Sequence, residues 1–250
     1  MTAEARNATR VPKASDVLAN LLKVRILSER LQPGERLPPE AELIEQYKFS
    51  RGTVREALRM LEIDGIVAVR RGPRGGIEVA EPDVSRVTRS LAVLFAFDGT
   101  PVRDLLEFRL VIEPGAASMA ARHATREQRD QLLDSTLEPD NSVPHSVQFH
   151  RELGLATNNG FMSTMMTSMN QVLEWQTNRQ ELSANERHGT TSAHRRIAEA
   201  VSKGEEAKAA RYMHAHLVEF MELLGRQGRL DLPVVPRPTD STRGLSAALY

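Results

Sequence analysis

The sequence predicts a mostly α-helical chain in two parts: a small N-terminal unit ending in a hairpin, and a larger all-α bundle. Three observations predict it. Apolar residues recur at helical spacing along most of the 250 residues. Strand character is confined to Ile66-Val67-Ala68-Val69-Arg70 and Ile77-Glu78-Val79. Aromatics make up 4% of the chain and apolar residues 40%, so the core is aliphatic, which favours packed helices over a sheet sandwich. The length suits about one or two domains.

Composition also excludes. With no cysteine, disulfides, thiolate metal sites and Cys nucleophiles are ruled out, and a reducing compartment is compatible. Net charge is zero, so overall charge points to no polyanion; its distribution says more. From Lys48 to Arg74 seven basic residues stand against three acidic ones, an excess suited to a phosphate surface. The longest strongly apolar run, Leu91 to Phe97, falls far short of the roughly 20 residues of a membrane span. The N-terminus lacks a signal-peptide core. A soluble, cytoplasmic protein without a membrane partner is expected.

Residues 1–12 are small, polar and unpatterned, and are expected to be disordered. The first folded unit is expected over 13–80. From about Ala14 a helix begins, with Val17, Leu18, Leu21, Leu22, Val24, Ile26 and Leu27 giving a broad apolar face. Gln32-Pro33-Gly34-Glu35 is a turn signal. Pro38-Pro39-Glu40 opens a second helix, because proline is tolerated in a first turn.

After a turn of about three residues comes Ser50-Arg51-Gly52-Thr53-Val54-Arg55-Glu56-Ala57-Leu58. Ser50 sits where an N-cap belongs. Val54, Ala57, Leu58 and Leu61 form one apolar stripe, while Arg51, Arg55 and Arg59 stand four apart on another face. Gly65 supplies the residue type that ends helices in the left-handed conformation. Two short helices joined this tightly, the second basic, make a helix-turn-helix pattern. The two strand-like runs flank Arg71-Gly72-Pro73-Arg74-Gly75-Gly76, so they form a hairpin with a basic tip, a wing.

Ile26 to Val79 resembles the DNA-binding domain of the GntR family of bacterial transcription regulators. The carrying residues are Leu31 to Pro38, Ser50 to Leu58, Leu61, Gly65 and Arg71-Gly72. The resemblance implies that Ser50, Arg51, Thr53 and Arg55 touch operator DNA and that Arg71 and Gly72 approach the minor groove. The chemistry suits these roles: guanidinium groups pair with guanine edges or phosphate, and hydroxyls and helix N-terminal amides suit phosphate. Two departures stand out. Pro39 replaces a frequent Ser cap, and Ala41 replaces an Arg with which some members contact DNA. Arg59 reads as a solvated charge one turn too far along.

After a linker at Glu81-Pro82-Asp83-Val84, helices are expected at about 84–97, 101–122, 126–136, 143–157, 161–181, 190–203 and 205–227, a bundle over 84–228. Beyond it, 231–250 reads as a disordered tail, opening on Pro233-Val234-Val235-Pro236. The bundle resembles the effector-binding FCD domain of the FadR branch. Asp104 to Glu113, Ala116, Ala117, Ala120, Ala121, Phe149-His150, Ala156 to Asn159, His194 to Ile197 and His216-Leu217 carry it.

Seven histidines are present, and three lie on apolar stripes. His150 shares a face with Val147 and Leu153, His194 with Ile197, Ala198 and Val201, and His216 with Ala209, Met213 and Phe220. His214 points to the opposite side and is expected in solvent. Either these are separate core histidines, or they converge and offer imidazole nitrogens to a divalent ion such as Zn or Ni. The FCD resemblance implies a metal held by three His and one Asp, the three matching His150, His194 and His216. The Asp would lie one turn before His150, where this chain has Ser146, a much poorer ligand. Three-His binding completed by an exogenous carboxylate, weak binding, or no metal all stay open.

Arg109 is either an exposed or Glu113-paired residue, or an anchor for an effector carboxylate. Asn159 either caps the next helix or contacts the effector. Met162, Met165, Met166 and Met169 read as core more than as a ligand surface. Together these readings imply a homodimeric, ligand-responsive regulator, a repressor released by a small organic acid or related metabolite. A metal-dependent hydrolase or lyase built on the same histidines is the alternative, but no carboxylate base or nucleophile motif accompanies them.

Overall fold

The computed structural model describes residues 12–70, 72, 75–137, 144–177 and 183–235. The chain divides into two compact units, Met1–Arg86 and Val87–Tyr250.

The first unit is a winged helix-turn-helix. Helix α1 (Ala14–Ser28) opens with the Asp16 carboxylate accepting from the Lys13 backbone N–H at 3.1 Å. It buries Leu18, Leu22 and Ile26, each one turn apart, and leaves Val24 and Leu27 exposed. The apolar face is therefore broader than the stripe that packs. After the turn at Gly34, strand β1 (Arg36–Leu37) leads into α2 (Glu40–Tyr47), which ends on Lys48 in the left-handed conformation. Helix α3 (Arg51–Ile63) starts at Ser50, whose Oγ accepts from the Thr53 N–H at 3.2 Å. Val54, Ala57, Leu58 and Leu61 are buried against Leu18, Leu22 and Leu43.

Strands β2 (Val67–Arg70) and β3 (Gly76–Val79) pair antiparallel, with Val67 opposite Val79 and Arg70 opposite Gly76. The expected hairpin gains a third strand, because Leu37 of β1 pairs with Ile77 in the order β1-β3-β2. Two residues are too few to show a period, and so β1 left no sequence signal. Ile77 and Val79 face the core, while Glu78 turns outward to Arg36 at 3.6 Å and Arg70 at 3.3 Å.

Gly65 ends the recognition helix at φ +70°, and a Cβ there would overlap the Arg86 side chain, which donates to the Ile63 carbonyl. Both strain and overlap oppose a side chain. Gly65→Ala is expected to lower the stability of this unit by at least about 1–2 kcal/mol in urea unfolding. Gly52→Ala, whose Cβ meets only Ser50 Oγ at 3.9 Å, should be neutral or stabilising. Equal effects from the two would remove the explanation.

The second unit is all-helical among its described residues. Helix α4 (Ser85–Asp98) begins two residues before the division, followed by α5 (Val102–His123), α6 (Arg126–Asp134) and α7 (Pro144–Ala156). Then come α8 (Gly160–Thr177), α9 (Ala184–Ser202) and α10 (Glu206–Arg226). Ala116, Ala117, Ala120 and Ala121 make α5 thin along one side. Met213 and Leu217 of α10, Ile197 and Val201 of α9, and Phe149 and Leu153 of α7 fill the same core. Met166 is in that core too, as expected of the Met-rich run.

Two expectations are corrected. A break was expected at Gly189-Thr190, yet α9 starts at Ala184. Ser183 Oγ accepts from the Glu186 N–H at 3.3 Å and Glu186 returns a bond to the Ser183 N–H at 2.7 Å. This reciprocal cap carries the helix through the glycine. The tail was expected to be disordered from 231. Instead Val234 and Val235 are buried with Ala92, Leu105 and Val172, and the Val234 N–H donates to the Thr100 carbonyl at 2.8 Å. Apolar burial and backbone pairing hold residues 231–235. The rest of the expected tail, and all but residue 12 of the expected N-terminal segment, lie outside the described residues.

Candidate DNA-recognition face and histidine cluster

On α3 the buried stripe turns Arg51 and Arg55 to solvent, with Thr53 between them half-buried. Thr53 Oγ1 lies 2.9 Å from Ser50 Oγ, so the first turn offers hydroxyls, free amides and two cations on one side. Among the described residues neither Arg51 nor Arg55 forms an ion pair, whereas Arg59 lies 4.0 Å from Glu56. At the wing, Gly72 has φ +107° and its carbonyl accepts from the Gly75 N–H at 2.9 Å. Arg71 lies outside the described residues. A groove between α3 and β2 is lined by Arg55, Arg59 and Arg70 but equally by Glu40, Glu56 and Glu62. Its balanced charge makes it a poor polyanion cleft.

In the second unit three helices bring His150, His194 and His216 together. One ligating nitrogen from each lies within 4.8 Å of the other two, and all three side chains are buried. His194 Nε2 and His216 Nε2 are 3.1 Å apart. Phe149, fully buried, stacks on the His194 ring at 4.1 Å between centroids. Helix α5 adds Arg109 and Glu113, one turn apart and 2% and 1% exposed. Arg109 Nε donates to Glu113 Oε1 at 2.5 Å, and Arg109 Nη2 reaches His150 Nε2 at 3.0 Å. Glu113 Oε2 stands 2.7 Å from His150 Nδ1, close but off the line of a straight hydrogen bond.

The electrostatics agree with the burial. Desolvation pushes the His194 pKa well below the usual imidazole value, helped by His216 and His150, and the same burial lowers His216. His150 is also lowered, again chiefly by burial, with Glu113 opposing. Burial, the largest single effect, would raise the Glu113 pKa, but the Arg109 charge, the neighbouring His150 and the hydrogen bonding from Arg109 together outweigh it and hold it below the carboxylate range. The cluster is a set of neutral imidazoles next to an ionised Glu–Arg pair.

That donor set fits a divalent ion. Two ligands each about 2.0–2.1 Å from one ion stand roughly 2.9 Å apart at a right angle and roughly 3.4 Å apart at the tetrahedral angle. The 3.1 Å between His194 and His216 lies in that interval. Glu113 is not a fourth ligand on this geometry, since it faces the other nitrogen of the His150 ring. The Ser146 side chain lies outside what the structure describes.

Arg109 therefore joins the histidines, while Asn159 does not. Asn159 is exposed, and its Oδ1 accepts from the Met162 N–H at 3.0 Å, capping α8. His214 is exposed, as its position two residues before His216 implied. Glu113 is the site residue that sequence reasoning placed only as a partner of Arg109. Its spacing from Arg109 was visible, but its contact with His150 on another helix was not.

A basic recognition helix in one unit and a buried imidazole–guanidinium cluster in the other define a DNA-binding regulator with a sensory domain. Comparison with known proteins agrees. Residues 14–79 match "Bacterial regulatory proteins, gntR family" and residues 104–219 match the "FCD domain". The chain belongs to the GntR family, in the FadR-type branch that carries an FCD domain, and is a ligand-responsive transcription regulator. It is 35% identical over 182 residues to the Uxu operon transcriptional regulator of Escherichia coli K12, covering 69% of this chain and 68% of that one. It is 28% identical to the transcriptional regulator LutR of Bacillus subtilis, covering 80% and 95%. The solved structure titled "Streptococcus agalactiae GntR" superposes with a TM-score of 0.63 at 25% identity, covering 83% of this chain and 99% of that one. Among the described residues no helix is long and apolar enough to cross a membrane.

Proposed function

We propose that this chain is a homodimeric repressor, acting in the cytoplasm, whose hold on operator DNA is released by a small organic acid in the helical unit. Ser50, Arg51, Thr53, Arg55, Arg71 and Gly72 form the DNA surface. A dimer sets two recognition helices into half-sites about one helical turn apart. His150, His194 and His216 hold a divalent ion, Zn or Ni, and Arg109 faces the effector carboxylate. The observation that carries this reading is the meeting of three neutral imidazoles and a buried guanidinium in one core.

The ion, when bound, supplies a Lewis-acidic point with an open position for a carboxylate oxygen. The protein supplies the rest. Burial keeps the imidazoles neutral and able to coordinate. Arg109 offers a planar pair of donors that matches a carboxylate. An effector that binds one dimer arrangement better than the other shifts the population between them, and with it the spacing of the recognition helices.

The test is a fluorescence-anisotropy titration of a duplex selected from a random pool by the wild-type protein. With Zn²⁺-loaded protein and a panel of small mono- and dicarboxylates, at least one acid should weaken DNA binding by about 5–150-fold. His194→Ala should lose the response and keep basal DNA affinity. A panel without effect, or an unchanged response in His194→Ala, would overturn the reading.

A further inference from the structure

The neighbours of the three histidines carry a further step, which rests on the reading of those histidines as a cation site. A guanidinium has donors and no acceptor. The 3.0 Å contact from Arg109 Nη2 to His150 Nε2 therefore uses the lone pair of Nε2. The ring proton is then on Nδ1, the nitrogen 2.7 Å from Glu113 Oε2. Nε2 is thus the nitrogen that His150 has left to offer beside His194 and His216, and it has one lone pair to give.

We propose that Arg109 and a divalent cation compete for Nε2 of His150, with Glu113 as the positioning residue that keeps this nitrogen unprotonated. The guanidinium must leave His150 before the third imidazole can coordinate. Once displaced, its outer donors are free for a ligand carboxylate, so cation binding and carboxylate binding support each other.

The geometry of the ion pair permits that displacement. Arg109 Nε holds Glu113 Oε1 at 2.5 Å, whereas Nη2 is shared, 3.3 Å from Oε2 and 3.0 Å from His150. A rotation about the short inner contact moves Nη2 off the imidazole and keeps the charges paired. The carboxylate behind the histidine is the arrangement that orients metal ligands and fixes their tautomer. A merely structural Arg–Glu pair would not need its donor on the coordinating nitrogen.

The experiment uses full-length protein stripped with a chelator and Zn²⁺ alone as the calorimetric probe. Wild type is compared with the double variant Arg109→Met/Glu113→Gln. That variant removes one charge of each sign, so the local net charge is kept, and a side-chain amide still stands beside Nδ1. With no donor contending for Nε2, Zn²⁺ should bind on the order of tenfold tighter. Unchanged or weaker binding would overturn the competition.

A second measurement needs no variant. Nitrogen-15 NMR of the stripped wild type should place the His150 ring proton on Nδ1, and a proton on Nε2 overturns the assignment. Wild type that takes up neither Zn²⁺ nor Ni²⁺ overturns the cation reading together with the competition. Uptake by wild type, lost in His194→Ala, with no tightening in the double variant, overturns the competition alone.

Discussion

Changing Arg51 and Arg55 together to Ala should abolish specific operator binding while the protein stays folded. Both side chains are exposed, and the helix is held from its other side by Val54, Ala57, Leu58 and Leu61, so truncation leaves the fold intact. A guanidinium that reads a guanine edge contributes about 1–3 kcal/mol of discrimination. Two such losses, if additive, weaken binding by about 2–6 kcal/mol.

The single variants separate the roles. The one that reads a base should relax specificity at one operator position. One that holds phosphate should weaken all sequences alike and reduce the salt slope by about one. Anisotropy titrations over a salt series, with operator and scrambled duplexes, decide between them. Operator affinity within twofold of wild type in the double variant would remove this helix from the DNA interface. Ala41 on α2 carries no guanidinium, which leaves more of the reading to these two.

The second large effect is on stability. Glu113→Ala should cost about 3–5 kcal/mol, because it leaves the Arg109 guanidinium buried without its counter-charge. That is a large share of the roughly 5–15 kcal/mol that holds a typical domain together. Urea unfolding followed by circular dichroism measures it. Arg109→Met/Glu113→Gln, which removes both charges, should lose much less, since neutralising a buried pair is often nearly free. If Glu113→Ala proved as mild as the double variant, the pair would not be the buried, mutually dependent unit that its 2% and 1% exposures describe.

The recognition helix was legible because its information is local. Ser50 caps three residues on, the apolar stripe repeats within one helix, and Gly65 marks the end by its own backbone preference. The histidines were half legible. Periodicity placed each on an inward stripe, but their meeting depends on how three helices pack. Glu113 shows the limit most clearly: its spacing fixes its distance from Arg109 but carries nothing about His150, which is 37 positions further along. Asn159 fits two roles in sequence, the cap the better of them, and the bond to Met162 settles it for the cap. Val234 and Val235 were hidden for the opposite reason. Prolines and a polar end surround them, and their partners Ala92, Leu105 and Val172 are distant in the chain.

Those two valines bear on how the protein is handled at the bench. The Val102 N–H donates to the Leu232 carbonyl and Arg103 pairs with Asp231, so the stretch after α10 secures the start of α5. Arg109 and Glu113 lie on that same helix, about two and three turns further along. An affinity tag or fluorescent fusion joined directly after Arg226 would therefore replace part of the fold and loosen the helix bearing the buried Arg109 guanidinium. A junction placed after Val235 keeps these contacts.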